Sequence, residues 1–366
     1  MTLRKTTLAL GAAIALAACG GSSDSGRTIG YTGKTSLAAI TDANAQTVAA
    51  GAMGASDFAS AGDTGGASGS SATAGSGTSP QKPVHARALA LVERAGRQLP
   101  LRISAVMRSQ TESCKVSGSV SVTASLADAS QDPVLHSGDW IQFTYKQCTD
   151  DLGVVVNGIL REDLTATDGV IPSSSDPYEM TSGFAYGMKV TMVSFSISEA
   201  DGTYAGVTGD MALDLLWNAG TYELSATVHG TSIAMEAGTG STVTASSLLA
   251  GAGGAGSYSF QSIDEFTDAT ASTLAASQFG ASARMCSLEL DGCVDLDVDP
   301  PLRTLAGDLH PSTGAMLITG RNGGTVDLVA VDADHVSLTW DVDGDDGPAE
   351  PSTLDTTWAC LAGICG

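Results

Sequence analysis

The sequence predicts a mainly β protein, built as a large antiparallel and strongly curved sheet or open barrel, or as two β lobes, with one or two N-terminal helices. From Cys114 onward, apolar and polar side chains alternate with the period of two that strands require. Gly and Asp interrupt nearly every alternating run. These closely spaced runs are typical of strands joined by hairpins and argue against a regular alternation of strands and helices.

The clearest hairpin lies in residues 210–229, where four alternating apolar residues precede a turn and four follow it. These residues are Met211, Leu213, Leu215 and Trp217, then Tyr222, Leu224, Ala226 and Val228. The letters "NAG" at 218–220 supply turn-forming residues between the two runs. "GVVVNGILREDLTAT" at 153–167 follows the same pattern, as does "HVSLTWDVDGDDG" near the end.

The first eighteen residues have the layout of an export leader. Arg4 and Lys5 form a positive head, and the apolar stretch 6–18 is too short to span a membrane as a helix. The stretch ends in "LAAC" and is followed by Gly and Ser. This order resembles the lipobox of bacterial lipoproteins, Leu-Ala-Ala-Cys, which ends here at Cys19.

The lipobox resemblance implies cleavage before Cys19, a diacylglycerol on its sulfur and an acylated amino terminus, with palmitate among the acyl chains. Two or more acyl chains make a stable anchor without a membrane-spanning segment. Gly20 stands where lipoproteins retained in the inner membrane usually carry Asp. The resemblance therefore implies an outer-membrane protein. It leaves open whether the body faces the periplasm or the cell exterior, and we expect the periplasm.

Three regions follow from composition. Residues 1–18 form the leader, and residues 19–82 comprise the lipidated cysteine, a tether and a Gly/Ala/Ser linker, with a short helix near 36–50. Residues 83–366 contain a helix and the β-rich body. The helix is predicted at 83–99, because apolar residues recur there at spacings of three and four after Pro83. It packs on the body or lies on a membrane surface.

Parts of the body also resemble a group of uncharacterised proteobacterial β-rich lipoproteins. The shared features are a Gly-Asp pair, a cysteine after an alternating strand, an acidic turn and an Asn-Gly pair. Here they are Gly138-Asp139, Cys148, Asp150-Asp151 and Asn157-Gly158. This resemblance implies no particular activity.

The chain is strongly acidic, with 40 Asp and Glu against 17 Lys and Arg and a net charge of −23. Nucleic-acid binding requires a basic surface, so the composition argues against a nucleic-acid partner. Seven cysteines leave six once Cys19 is acylated, and an exported protein is oxidised. Spacing favours the disulfides Cys114–Cys148, Cys286–Cys293 and Cys360–Cys365, although six cysteines allow 15 pairings.

One acidic loop is a candidate cation site. Asp341, Asp343 and Asp345 alternate like the first ligands of a calcium loop, although Asp346 stands where an EF-hand needs Gly. The alternative is a solvated turn, which Asp and Gly also favour. No other cofactor is predicted.

The sequence contains neither a Gly-x-Ser-x-Gly nor a His-Glu-x-x-His motif, and its five histidines are scattered. We therefore expect a non-catalytic binding or structural role in the cell envelope, with another envelope protein as the partner. Carriage of an apolar ligand in a β cavity is the alternative, with four methionines, Met188, Met192, Met211 and Met235, as an adaptable wall. A hydrolase using paired carboxylates is a minor alternative.

Overall fold

We analysed a computed structural model of the chain. The structure describes residues 27–60, 109–126, 136–168, 183–254, 256–268, 273–344 and 352–362. The predicted leader, Cys19, Asp345, Cys365 and the predicted helix at 83–99 therefore lie outside the described residues.

The described residues form two α-helices and seventeen strands. The helices are α1 (Ala45–Ser60) and α2 (Trp358–Leu361). The first nine strands are β1 (Ser109–Ser113), β2 (Ser117–Ser125), β3 (Trp140–Thr149), β4 (Val155–Asp168), β5 (Phe184–Ser198), β6 (Thr203–Asn218), β7 (Glu223–Gly230), β8 (Ser232–Thr239) and β9 (Thr242–Ala250). The remaining eight are β10 (Tyr258–Phe266), β11 (Leu274–Ser287), β12 (Gly292–Asp297), β13 (Leu302–Leu305), β14 (Ala315–Thr319), β15 (Thr325–Ala330), β16 (His335–Asp341) and β17 (Ser352–Thr357).

All seventeen strands belong to one antiparallel sheet, which confirms the predicted mainly β class. The strands follow one another as an up-and-down meander from β1 to β17. Three times, two consecutive strands together take the place of one long strand that is interrupted in the middle. These are β7 and β8, β9 and β10, and β12 and β13. The two halves of each pair lie on the same edge of a single long neighbour, either β6 or β11.

The interruptions leave a gap in the sheet, because β6, β7, β10, β11, β9 and β8 pair in that order and close a ring. Tyr258 is fully buried beside this gap, and its hydroxyl donates to the carbonyl of Asp210 at 2.8 Å. The predicted hairpin at 210–229 is confirmed as the β6–β7 hairpin, although β6 begins earlier, at Thr203.

A line of bulges crosses β3, β4 and β5 and bends the sheet. Gln147 and Ser194 each adopt a left-handed conformation, with φ of 48° and 45°. A bulge takes a backbone N–H out of the strand ladder, and here the next strand supplies an acceptor. The N–H of Gln147 donates to Asn157 Oδ1 at 2.7 Å, and the N–H of Ser194 donates to Thr208 Oγ1 at 3.4 Å.

Residues 27–44, here named the strap, run across the ends of the strands from β8 to β17. Lys34 forms an ion pair with Asp291 in the β11–β12 turn. The other anchoring contacts are Arg27 with Glu236, Ser36 and Ala38 with Cys293, Ala38 with Arg321, and Asp42 with Trp340. The strap continues into α1, which packs on β10, β11, β15 and β16.

Residues 27–53, which fall within the region predicted as tether and linker, are therefore packed against the sheet. Ile29, Ala38 and Ile40 are buried, and Val48 and Ala49 of α1 have no exposed surface. The predicted helix near 36–50 exists but begins at Ala45. Small residues allow α1 to approach the sheet closely, so its Ala-rich composition reflects packing rather than a flexible linker.

Two disulfides join cysteines that the spacing predicts to be paired. Cys114, in the β1–β2 turn, is bonded to Cys148 of β3, and Cys286 of β11 is bonded to Cys293 of β12. Cys360 is also disulfide-bonded, and its predicted partner Cys365 lies outside the described residues.

Candidate functional site

The predicted calcium loop is a hydrogen-bonded turn at its described end. The Asp341 carboxylate accepts the backbone N–H groups of Asp343 at 3.0 Å and of Gly344 at 2.9 Å. Within the described ranges, no group of three or more His, Cys, Asp or Glu side chains is arranged to hold a metal ion. Because Asp345 lies outside these ranges, calcium binding stays a prediction from the sequence.

Two histidines pair with surface carboxylates. His229 Nε2 lies 2.8 Å from Asp214 Oδ2, and His335 Nδ1 lies 2.9 Å from Asp332 Oδ1. All four side chains are more than 40% exposed. These pairs lie on open surface, where water competes for both partners, and they form no enclosed site.

The two best-formed hollows among the described residues are open to solvent. One, of about 340 Å³, lies beside the bulges and is lined by Arg27, Gln147, Asn157 and Ser194, among others. The other, of about 220 Å³, lies beside the gap in the sheet and is lined by Lys189, Asp210 and His229, among others. Neither hollow is an enclosed chamber for a ligand.

The strongest candidate site lies on the inner face of β3, β4 and β5, around Glu162. Leu160, Glu162 and Leu164 alternate on β4 with their side chains on the same face, and both leucines are buried. Across the ladder, Glu162 is directly opposite Ile141 of β3 and Val190 of β5. A carboxyl group is therefore flanked by apolar residues on all four sides.

Burial raises the pKa of Glu162 above its ordinary value. Desolvation is the cause, since a carboxylate loses hydration on an apolar face. Neither a hydrogen bond nor an opposite charge from the described residues offsets this effect. The basic side chains nearest in sequence and register, Arg161 and Lys189, alternate onto the opposite face, where each pairs with an Asp.

Two tyrosines lie within electrostatic reach of Glu162. Tyr145 is 7% exposed, and its pKa is raised by burial and then by the charge of Glu162. Its hydroxyl is buried and has no hydrogen-bond partner. The same two causes raise the pKa of Tyr186 to about 12, and its hydroxyl lies 3.6 Å from Met188 Sδ. The apolar face therefore contains one carboxyl and, two cross-strand rows away, one phenol without a hydrogen-bond partner.

Glu162 is not among the site residues predicted from the sequence. The signal was present, because the run "LREDL" puts Glu162 in phase with Leu160 and Leu164 in an alternating strand. Of the four predicted wall methionines, Met192 and Met235 are buried in the core, and Met188 and Met211 are only partly buried.

We expect Glu162→Gln to stabilise the protein near neutral pH by about 1 kcal/mol or more, because it removes an unpaired desolvated charge. The folded-state pKa of Glu162 is raised, so the destabilisation is absent below its unfolded pKa, grows as pH rises and is complete above its folded pKa. Urea midpoints of the variant and the parent should therefore converge in acid. The control Glu289→Gln changes an exposed residue in the β11–β12 turn. Its urea midpoint should equal that of the parent at both neutral and acid pH. A gain that persists unchanged in acid would contradict this account.

Comparison with protein-family models, with curated proteins and with solved structures found no match. In the described part of the chain, no helix combines the length and the apolarity that crossing a membrane requires.

Proposed function

We propose that the protein is a bacterial lipoprotein, held at the outer membrane by acylated Cys19, whose acidic β body has a non-catalytic binding or structural role in the periplasm. The observation that carries this proposal is the order of positive head, apolar run and "LAAC" at residues 4–19. The proposed partners are the membrane, through the lipid, and an envelope protein or an apolar ligand.

The strap supports a short tether between the lipid and the body. Only residues 20–26 separate Cys19 from Arg27, whose side chain pairs with Glu236 of β8. An extended chain spans at most about 3.6 Å per residue, so the eight steps from Cys19 to Arg27 reach about 29 Å. In this proposal, the strand ends beneath the strap lie next to the membrane surface.

A carrier role is the second candidate function, and the inner face around Glu162 favours it. Ligand sites are mostly apolar and contain a few polar groups with perturbed pKa values. Glu162 and Tyr145 are groups of this kind, because each is a polar group with a raised pKa on an apolar face.

Acylation is tested by replacing the anchored residue. We expect metabolically supplied labelled palmitate to enter the parent protein and not Cys19→Ser, because only a thiol forms the thioether. The parent should fractionate with outer membranes and the variant should not. Gly20→Asp should keep the label and move the protein to inner membranes. Labelled Cys19→Ser, or an unlabelled parent, would refute the lipoprotein assignment.

A further inference from the structure

Among the described residues, several apolar side chains on the inner face of β2–β6 keep part of their surface exposed. Ile141, Met188 and Met211 pack against the main core but keep part of their surface exposed. Ile141 and Met211 share one cross-strand row with Glu162, and Met188 lies in the adjacent row opposite Leu164. This partly exposed apolar surface therefore surrounds the carboxyl group.

We propose that this face binds a small amphiphile, whose cationic ammonium head pairs with Glu162 and whose alkyl body lies on Ile141, Met188 and Met211. The proposal rests on the binding role proposed above and specifies its ligand class. It does not depend on acylation of Cys19.

The charges select a cation. Among the described residues, Glu162 is the charged side chain on the inner faces of β3, β4 and β5, and the phenols of Tyr145 and Tyr186 are the other titratable groups there. An ammonium group gives the carboxylate the charge-assisted hydrogen bond that it lacks. An anionic head would instead add a second negative charge on an apolar face.

The surrounding side chains select an alkyl body. Methionine side chains are flexible and polarisable, so Met188 and Met211 can adapt to chains of different shape. An unpaired carboxyl on an apolar face destabilises the folded protein, and such a cost is typical of binding sites rather than of structural positions. A bound ligand would offset this destabilisation, because its ammonium group gives the Glu162 carboxylate an ion-pair partner.

Calorimetric titration of residues 19–366 carrying Cys19→Ser tests the proposal without lipid or detergent. The probes are decylammonium, decanol and decanoate below their micelle concentrations, since they share one chain and differ in the head. We expect decylammonium to bind about tenfold or more tightly than decanoate near neutral pH. Glu162→Gln should remove this preference and leave decanol binding unchanged.

Glu289→Gln is the matched control, because it removes one exposed negative charge from the same acidic protein. If it lowers decylammonium affinity as much as Glu162→Gln does, binding reflects the net charge of −23 and the proposed site is wrong. Equal affinities for decylammonium and decanoate would also overturn the proposal.

A pH titration of the parent protein keeps the test decisive if Glu162→Gln alters the fold, which circular dichroism detects. Decylammonium affinity should fall in acid as Glu162 is protonated, while decanol affinity stays constant. Decylammonium binding that does not fall in acid would refute the assigned head-group site.

Discussion

Gly158→Ala should destabilise the protein by about 3 kcal/mol or more. Gly158 has φ +98°, and a Cβ atom there would lie 2.3 Å from the carbonyl oxygen of Ser194 and 2.6 Å from the Cα of Phe195. Both are backbone atoms of the adjoining bulge on β5, so no side-chain rotation relieves the contact. The urea midpoint, followed by the fluorescence of buried Trp217, measures the loss.

Gly138→Ala separates the steric contact from the cost of the backbone conformation. Gly138 has almost the same dihedral angle, φ +94°, but no heavy atom lies within 4 Å of the position of its Cβ. We expect this variant to lose only about 1 kcal/mol, the cost of a left-handed alanine. Equal losses in the two variants would mean that the bulge yields to the added methyl group and does not fix the bend of the sheet.

The strands were predictable because their apolar residues alternate. Met211 and Trp217 mark one face of β6 in the sequence, and the turn residues between the two runs locate the β6–β7 hairpin. The bulges in β3 and β5, in contrast, could not be predicted from the alternation of apolar residues. Gln147 and Ser194 have no sequence preference for a left-handed conformation, and the acceptors for their N–H groups come from the next strand.

The strap shows what composition misses. Its backbone contacts with Cys293 and Arg321 join residues more than 250 positions apart and depend on N–H and C=O groups that every sequence has. The Gly, Ser and Ala content of residues 19–82 therefore suggests a tether and a linker, although several residues between 27 and 53 are buried. Only isolated apolar residues such as Ile29 and Ile40 indicate the packing.

The candidate site was predictable in part. The alternation of Leu160, Glu162 and Leu164 assigns the carboxyl to the apolar face of a strand from sequence alone. The proximity of Tyr145 was not predictable, because it depends on the register of β3 against β4, which shifts between Tyr145 and Cys148. A one-residue error in that register would move the tyrosine to the opposite face.

Arg27→Ala should cost about 3–5 kcal/mol, because it leaves a buried carboxylate without its partner. Arg27 Nε lies 2.8 Å from Glu236 Oε1, and the Glu236 side chain is only 3% exposed. The guanidinium also stacks on Tyr204, 3.9 Å from the ring centre. We expect a lower urea midpoint and faster proteolysis within the strap, since Arg27 is the residue that holds the start of the strap to β8. Arg27→Ala combined with Glu236→Gln should recover part of the loss, because the unpaired charge is then absent.

Lys34→Ala is the matched control on the same segment. Lys34 pairs with Asp291, but their side chains are 62% and 75% exposed, so solvent screens the pair and its loss should cost at most about 1 kcal/mol. A large difference between the two variants would show that the buried charge pair between Arg27 and Glu236 fastens the strap to β8. Equal, small losses would show instead that the backbone hydrogen bonds and buried apolar residues hold the strap. In that case the first residues of the strap can detach from β8 without unfolding the sheet.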